Sequence, residues 1–570
     1  MNKKKSIYNT PKIITTSNIP SISENERDDC LVIGTHSGTF HSDEVVAIAL
    51  YSFTKPYEKI YVVRSRDKDI LSKCDISVDY GGGDYDHHIP GYNERRKNNG
   101  TKYASAGLVY IHDKLGKSNT IVDNFLLEAN ILDNLCELLK KSGISDDKIN
   151  TLSSELEKKF PTIKQSIIND IDYNIIVPVD ARDTGEKLNP PREDILDFIP
   201  SFNPSWCEEN SSDNYNAKFK EALITARQIL QEKFKETISN TYEAVLPKKI
   251  FEKSLLNKKN KPITSKKMCV QSLLRFLPKS NTPIPQSIDE AEETYDYNLE
   301  DVWNNYSGQI ISNAESKLNP IDSIFELYSN FKADGITSEE YSSIAPVIRK
   351  NLEEKKEKIS AFIRDSVYNE LINPITGQSS NSENINEPKS KNSLSFIDAF
   401  NPSIFEQNPD IENQLESAKE VSANIIATKI QEIISREYAK ETIKTLYENP
   451  SFFSSGILEL PSQSIPWKEA VCNINSQTKD PTKSINFVLF PYPDGGWACQ
   501  AVPPSLEQEF EKRFPFSKDD DTNMWVHPGK FFARGAKTKE EAIDLSIYSQ
   551  FIERWKNYYN DDELDFYEKD

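Results

Sequence analysis

The chain has 570 residues, 37% of them hydrophobic and 28% charged, and carries a formal net charge of -20. At roughly 100–200 residues per domain that length holds two to four domains. So acidic a balance argues against a protein that coats nucleic acid through a broad basic face, though not against an enzyme that grips phosphates through metal ions and a few local cations. The seven cysteines are scattered without a CxxC pair, which reads as free thiols in a reducing compartment. No apolar run approaches the roughly 20 residues of a membrane span.

Residues 1–28 read as a disordered tail. The first twenty, MNKKKSIYNTPKIITTSNIP, are basic, rich in Ser and Thr and free of acid, and they lack the apolar centre of a secretory signal. A mitochondrial-type presequence is the lesser alternative, because the stretch has no arginine. The expected compartment is the cytoplasm, with nucleus and mitochondrion as alternatives.

From residue 29 the pattern alternates between strand and helix. DDCLVIG is a short apolar strand. DEVVAIALYSF, residues 43–53, has helical apolar spacing, with acids at its start where the helix dipole favours them. KIYVVRSR is a second strand, CDISVDYGGG a third that ends in a glycine turn, and ASAGLVYIHDKL, residues 104–115, is helical again. Such alternation predicts a parallel, doubly wound sheet with its ligand beyond the carboxyl ends of the strands. His36 follows the first of these strands and Asp79 ends the third, so both fall on one rim.

Further along, residues 217–239 and 416–447 are predicted as long amphipathic helices packed on a core. KKNKPITSKK, residues 258–267, reads as a linker, and residues 377–393 read as a low-complexity loop. SFNPSWCEEN at 201–210 recurs as AFNPSIFEQN at 399–408, KSGISDD resembles ADGITSEE, and NDIDYNIIVP resembles IRDSVYNELINP. A near-constant offset predicts a degenerate duplication of about residues 105–250. Its second copy has no histidine, and Thr376 stands near where the first copy has Asp180.

Five of the six histidines fall before residue 113, and such clustering points to metal or proton chemistry. THSGTFHSDEV offers His36, His41, Asp43 and Glu44. SVDYGGG offers Asp79. DYDHH offers Asp84, Asp86, His87 and His88, and VPVDARDTG offers Asp180 and Asp183. Imidazoles and carboxylates without thiolates suit Mn²⁺, with Mg²⁺, Fe²⁺ or Zn²⁺ as alternatives. Each piece alone is weak, because VDARDTG also suits a helix cap and DHH before a Pro-Gly turn also suits a polar loop. His112 is expected to be an ordinary helix-surface residue. Arg64 and Arg66 after the second strand are candidate phosphate contacts, and Arg95, Arg96 and Lys97 are as well read as a solvated loop.

Taken in order, GTHSGTFHSDEVVAIAL, VVRSRD, CDISVDYGG, YDHH, SAGLVY, VDARDTG, FNPSW, GILELPSQSIPWKEAV, WACQAVP and VHPGKF resemble the melanocyte-proliferating-gene exonuclease family, a branch of the DHH phosphoesterase superfamily. The resemblance runs from residue 34 to about 545. It implies an α/β fold: a parallel, doubly wound DHH-type N-terminal domain plus a smaller α/β C-terminal domain, with the active site in the cleft between them. The expected boundaries are 29–253 for the catalytic domain, 254–450 for a long, mainly helical insertion, and 451–570 for a substrate-binding domain.

Carried over motif by motif, the resemblance gives His36, His41 and Asp79 to one metal and Asp43, Asp79, His87 and Asp180 to another. Asp86 would orient His87, and His88 would face the substrate as general acid or phosphate contact. His41 stands where the wider superfamily usually has Asp, and Ile89 where the branch often has Gln. The C-terminal loop VHPGKFFARGAKT replaces a glycine-rich one. It offers His527, Gly529, Lys530 and Arg534 to a strand end, with Lys537 nearby. The implied activity is metal-dependent phosphodiester hydrolysis, most specifically a 3′–5′ exonuclease on single-stranded RNA with two divalent ions. The alternatives are a phosphatase or pyrophosphatase of small substrates, an oligonucleotide phosphodiesterase, and a non-catalytic scaffold that retains the metal site.

Overall fold

The computed structural model describes residues 6–558 apart from 84, 90, 112–119, 142, 193, 209–210, 246–262, 278–298, 330–337, 377–393, 404–405, 407–408, 493–495, 509–513, 517–523 and 527–529. His112, the low-complexity stretch 377–393, and most of the predicted linker 258–267 therefore lie outside the described residues. The chain divides into two compact units. One comprises 1–203, 210–310 and 368–429, and the other 204–209, 311–367 and 430–570. The segment 254–450, expected as one insertion, is thus shared between them.

The first unit is built on a four-stranded parallel sheet in the order β1-β3-β2-β4, from β1 (Lys12–Thr16), β2 (Cys30–Thr35), β3 (Lys59–Arg64) and β4 (Ile76–Ser77). Register runs Lys12↔Lys59 to Thr16↔Val63 on one side of β3 and Cys30↔Lys59 to Thr35↔Arg64 on the other. Residues 12–16, expected within a disordered tail, are therefore an edge strand. Their sequence, KIITT, is a β-branched run that suits a pleated, half-buried surface. Arg227 fixes the approach to this strand by donating from Nη2 to the Ile7 carbonyl at 2.6 Å.

The helices of this unit are α1 (Ser42–Tyr51), α2 (Lys68–Leu71), α3 (Ser105–Ile111), α4 (Thr120–Ala129), α5 (Ile131–Lys141), α6 (Asp146–Ile171), α7 (Val177–Asp183) and α8 (Ser212–Val245). Every residue of α1 from Ser42 to Leu50 is buried, because α3, α7 and α8 all pack on it. The aromatic part of this core joins Phe53 to Phe125 at 5.0 Å and Phe125 to Phe234 at 5.1 Å between ring centroids. The predicted helix at 217–239 is the middle of α8. The third predicted strand shrinks to two residues plus a single bridge between Val78 and Tyr85.

Between α6 and α7 the helix passes through one π-helical turn, Asp172–Ile176. The same order of elements occurs again later in the chain: a long helix, Ser338–Val367, a π turn, Tyr368–Ile372, a short helix, Asn373–Thr376, a 3₁₀ turn, Ser395–Phe400, and a second long helix, Ile411–Tyr447. In the first series the corresponding 3₁₀ turn is Ile199–Phe202. This is the order that a duplicated segment would have.

The second unit holds a six-stranded mixed sheet in the order β5-β6-β7-β8-β10-β9, from β5 (Phe453–Ser454), β6 (Ile457–Glu459), β7 (Phe487–Pro491), β8 (Trp497–Ala501), β9 (Trp525–Val526) and β10 (Phe532–Ala536). Only β6 and β7 run parallel. Phe487, Leu489, Trp497 and Phe516 form its core, where the final helix, Lys539–Tyr558, contributes Ala542 and Leu545. The molecule is mixed α/β with a parallel sheet and a large helical content.

Candidate metal centre

β2 and β4 lie side by side and parallel, so the loops at their carboxyl ends meet on one rim. The loop after β2 carries His36 and leads through His41 into α1, whose first turn holds Asp43 and Glu44. The loop after β4 carries Asp79, and a tight glycine turn then brings the chain back. Gly81 and Gly82 adopt φ of +98° and +76°, a region that only glycine enters cheaply. Asp79 itself sits at φ +61°, a left-handed conformation that Asp tolerates better than most residues. The turn is held by Asp86, which accepts from the Gly82 amide at 2.8 Å and the His88 amide at 2.9 Å. Asp86 therefore orients the turn and His88, and the expected contact with His87 is not among its bonds.

Among the described residues, three groups of side chains come close enough to hold a metal ion: His36, His41, Glu44 and Asp79; Asp79, His87 and His88; and His41, Asp43 and Asp183. His36 Nε2 lies 3.1 Å from Glu44 Oε1 and 3.4 Å from Asp79 Oδ2. His87 Nδ1 lies 3.3 Å from Asp79 Oδ1, and its Nε2 lies 2.9 Å from Asp183 Oδ2. Asp79 belongs to two of the groups. Ser105, at the start of α3, donates from its hydroxyl to Asp79 Oδ1 at 3.2 Å and lies 3.3 Å from His87 Nδ1.

The donor set fits a divalent cation. Asp43 Oδ1 and Glu44 Oε2 are buried without a hydrogen-bond partner, and orphaned buried carboxylate oxygens are costly unless a cation meets them. Oxygen and imidazole donors suit Mn²⁺, Mg²⁺, Fe²⁺ or Zn²⁺. The protonation of the bare site tells the same story. Burial alone would lower the His36 pKa, but bonds to Asp79 and Glu44 outweigh it and push it up to about 9. Burial, with Asp183, Asp79 and Glu44 close by, drives Asp43 well above the usual carboxylate range. Burial would also raise Asp79, yet its bonds to His36 and His88 hold it well below that range.

Of the residues expected at the metals, His36, His41, Asp43, Asp79 and His87 come together. Asp180 does not. Its Oδ1 accepts from the Gly107 amide at 2.9 Å and its Oδ2 from Arg96 Nη2 at 2.7 Å, so both oxygens are engaged away from the imidazoles. Asp183, three residues later on α7, reaches the cluster in its place. Arg96 had been grouped with a candidate phosphate loop, but it is turned inward and only 2% exposed.

The expected phosphate contacts divide. Arg64 is 1% exposed. It is stacked on Phe40 and Phe219 and donates to the Gly38 carbonyl at 2.6 Å. It braces the His36–His41 loop and cannot meet a solvent-borne phosphate. Arg66 is half-buried, with its guanidinium 5.7 Å from the Tyr80 ring centre. Arg95 pairs with Glu186 at 2.8 Å. In the other unit Lys530 is exposed, and Arg534 donates to the Tyr492 hydroxyl at 2.7 Å. His527 and Gly529 lie outside the described residues. No helix among the described residues is long and apolar enough to cross a membrane.

Glu44 and Asp183 were offered by their motifs but given to neither metal, and Ser105 received no role from the sequence. Asp183 had a signal, since a second Asp three positions on lies on the same helix face. Ser105 had none beyond its place at a helix start.

The family model for the MYG1 exonucleases, described as an uncharacterised protein family (UPF0160), matches residues 32–282 and 284–520. Among curated proteins, the MYG1 exonuclease of Bos taurus is 30% identical, over 30% of this chain and 51% of its own length. The MYG1 exonuclease of Mus musculus is 36% identical, over 23% of this chain and 43% of its own. A MYG1 protein of Schizosaccharomyces pombe is 28% identical, over 40% of this chain and 65% of its own. The chain thus spans about half the length of the mammalian relatives it matches. No solved structure matches the chain.

Proposed function

This chain belongs to the MYG1 exonuclease family, and on that premise we propose that it is a metal-dependent phosphodiesterase of the DHH type, a 3′–5′ exonuclease on single-stranded RNA that uses two divalent ions, Mn²⁺ foremost. The observation that carries this reading is the position of Asp79. It stands between His36 on one side and His87 and His88 on the other, within two groups that can each hold an ion. Curated relatives that bear the name exonuclease support the nuclease class. RNA as substrate, the polarity and the number of ions rest on the family resemblance.

In this reading His36, His41, Glu44 and Asp79 hold one ion, and Asp43, Asp183, His87 and the shared Asp79 hold the second. Bound there, divalent ions would supply an activated water and neutralise charge on the phosphoryl group under attack. The remaining chemistry belongs to the chain. His88 is 57% exposed at its side chain, with Nδ1 3.2 Å from Asp79 and 3.4 Å from Asp86. Burial opposes its charged form, but these two carboxylates outweigh it and push the imidazole up to about 11. Asp86 accepts from the His88 amide and lies 3.4 Å from its Nδ1, so His88 would be oriented to serve as general acid to the leaving oxygen. In the first unit Arg66 would contact a phosphate, and in the second unit the loop residues His527, Gly529, Lys530 and Arg534 would contact a strand end.

The test is cleavage of a single-stranded RNA labelled at its 5′ end, with and without Mn²⁺, by the wild type, Asp79→Asn and His88→Ala. The expected result is a Mn²⁺-dependent ladder that shortens from the 3′ end and is lost in both variants. Absence of cleavage by a wild type that demonstrably binds Mn²⁺ would overturn the reading in favour of a small phosphate ester substrate or a scaffold.

A further inference from the structure

A buried guanidinium ties together three parts of the chain that surround the metal centre. Arg96 follows the DHH turn and is 2% exposed. Its Nε donates to both oxygens of Asp172, at 3.1 and 3.0 Å, and its Nη2 donates to Asp172 at 2.8 Å and to Asp180 at 2.7 Å. Its Nη1 donates to the Lys102 carbonyl at 3.3 Å. The plane stacks on Tyr103, 4.3 Å from the ring centre. Asp172 opens the π turn, Asp180 lies on α7, and Asp180 also accepts from the Gly107 amide of α3.

The π turn makes this grip feasible. In an uninterrupted α-helix two residues eight apart point about 80° away from each other around the axis. A turn closed by i→i+5 bonds absorbs about one extra residue. Asp172 and Asp180 then stand as residues seven apart would, about 20° from alignment, and one planar fork reaches both. Asp180 and Asp183 are three residues apart on α7, so holding the first fixes the azimuth of the second. Asp183 is the carboxylate that meets His87 Nε2 at 2.9 Å.

We infer that Arg96 is a positioning residue for the metal centre: by clamping Asp172 and Asp180 it sets α7 so that Asp183 closes on His87 and Asp43. This rests on the metal-centre reading above. The clamp has no oxygen to spare for an ion, since both oxygens of Asp180 are used. It acts through geometry alone, as the partners of metal-ligating side chains do.

The test uses the full chain, with Mn²⁺ as the probe, titrated calorimetrically and followed by the electron paramagnetic resonance spectrum of the bound ion. Arg96→Met should weaken Mn²⁺ binding about 10- to 100-fold, alter that spectrum, and lower kcat for RNA with KM little changed. Arg96→Lys keeps the charge but loses the fork, and should restore only part of the affinity. A charge-free variant, Arg96→Met with Asp172→Asn and Asp180→Asn, covers the case in which Arg96→Met does not fold, and should show the same loss. Folded variants with wild-type Mn²⁺ affinity, spectrum and kcat would overturn the inference while leaving the metal centre standing. A wild type that binds no Mn²⁺ would overturn the metal-centre reading itself, and the clamp's role with it.

Discussion

Asp183 Oδ2 lies 2.9 Å from His87 Nε2 and belongs to one metal-capable group with Asp43. Without an ion the contact with His87 is favourable, but after burial Asp183 is the strongest influence opposing ionisation of Asp43, so the two effects offset. Asp183→Asn should therefore leave the metal-free protein about as stable to heat while cutting Mn²⁺ affinity and RNA cleavage at least about 10-fold. Differential scanning calorimetry in chelator, paired with Mn²⁺ titration, checks both halves. A variant that is less stable yet binds Mn²⁺ normally would make Asp183 a structural residue.

The left-handed backbone at Asp79 separates two ways of losing it. Asp79→Asn should retain the fold, because Asn accepts that conformation, and should lose metal-dependent activity. Asp79→Ala should lose the same activity and a further 1–2 kcal/mol or so of stability from the backbone alone. Thermal unfolding of the two variants in chelator reads the difference. Equal stability would mean that the loop relaxes once the carboxylate is gone.

The pH dependence of metal binding follows from His36. Its pKa in the metal-free fold is raised to about 9 from an ordinary value of 6.5. The protonated imidazole thus adds stability that is fully present below pH 6.5 and is lost as pH rises through about 9. A metal needs the neutral ring, so protons compete throughout that window. Mn²⁺ affinity should rise by up to about tenfold per pH unit from 6.5 towards 9, while the metal-free protein loses thermal stability over the same range. Calorimetric titrations at three pH values settle this, and a flat affinity would remove His36 from the ligands.

Ser105 supports two ligands with one hydroxyl. Ser105→Ala removes its bond to Asp79 and its contact with His87. The expected cost is about 1 kcal/mol in stability and about tenfold in Mn²⁺ affinity. Mn²⁺ affinity equal to that of the wild type would leave Ser105 as packing only.

Gly107 leaves room for the clamp. A Cβ there would overlap Asp180 Oδ2 and fall 2.8 Å from Arg96 Nη2. Gly107→Ala should destabilise the protein by about 1–3 kcal/mol, measured by chemical denaturation, and should weaken Mn²⁺ binding as Arg96→Met does. A neutral result would mean that α3 can shift without disturbing α7.

Much of the site was legible in the order of its motifs. β2, α1 and β3 carry plain periodicity, so the placement of His36 and Asp79 on one rim followed from strand–helix alternation. What escaped was the choice between near neighbours. Asp180 and Asp183 share one helix face in sequence, and nothing local says that a buried arginine 84 residues upstream will take the first. Arg96 read as part of a solvated cationic run because burial of a charge depends on distant partners. β1 was missed for a related reason. A polar, basic opening resembles a tail, and only pairing with β3 reveals KIITT as a strand. The long helices at 217–239 and 416–447 were found because amphipathic periodicity is local.

The two π turns carry a last consequence. The second, Tyr368–Ile372, occupies the same place in its series as Asp172–Ile176, but Tyr368 stands at its first position and Thr376 eight residues on. A bulged helix without either acid is thus already present in this chain. The distorted turn forms there without an Asp at either of the two positions that Arg96 grips, whereas the three-way grip of Arg96 requires the distorted turn. The π turn is thus a separable backbone feature on which the grip is built, and without it the fork would have to span two carboxylates about 80° apart around the helix.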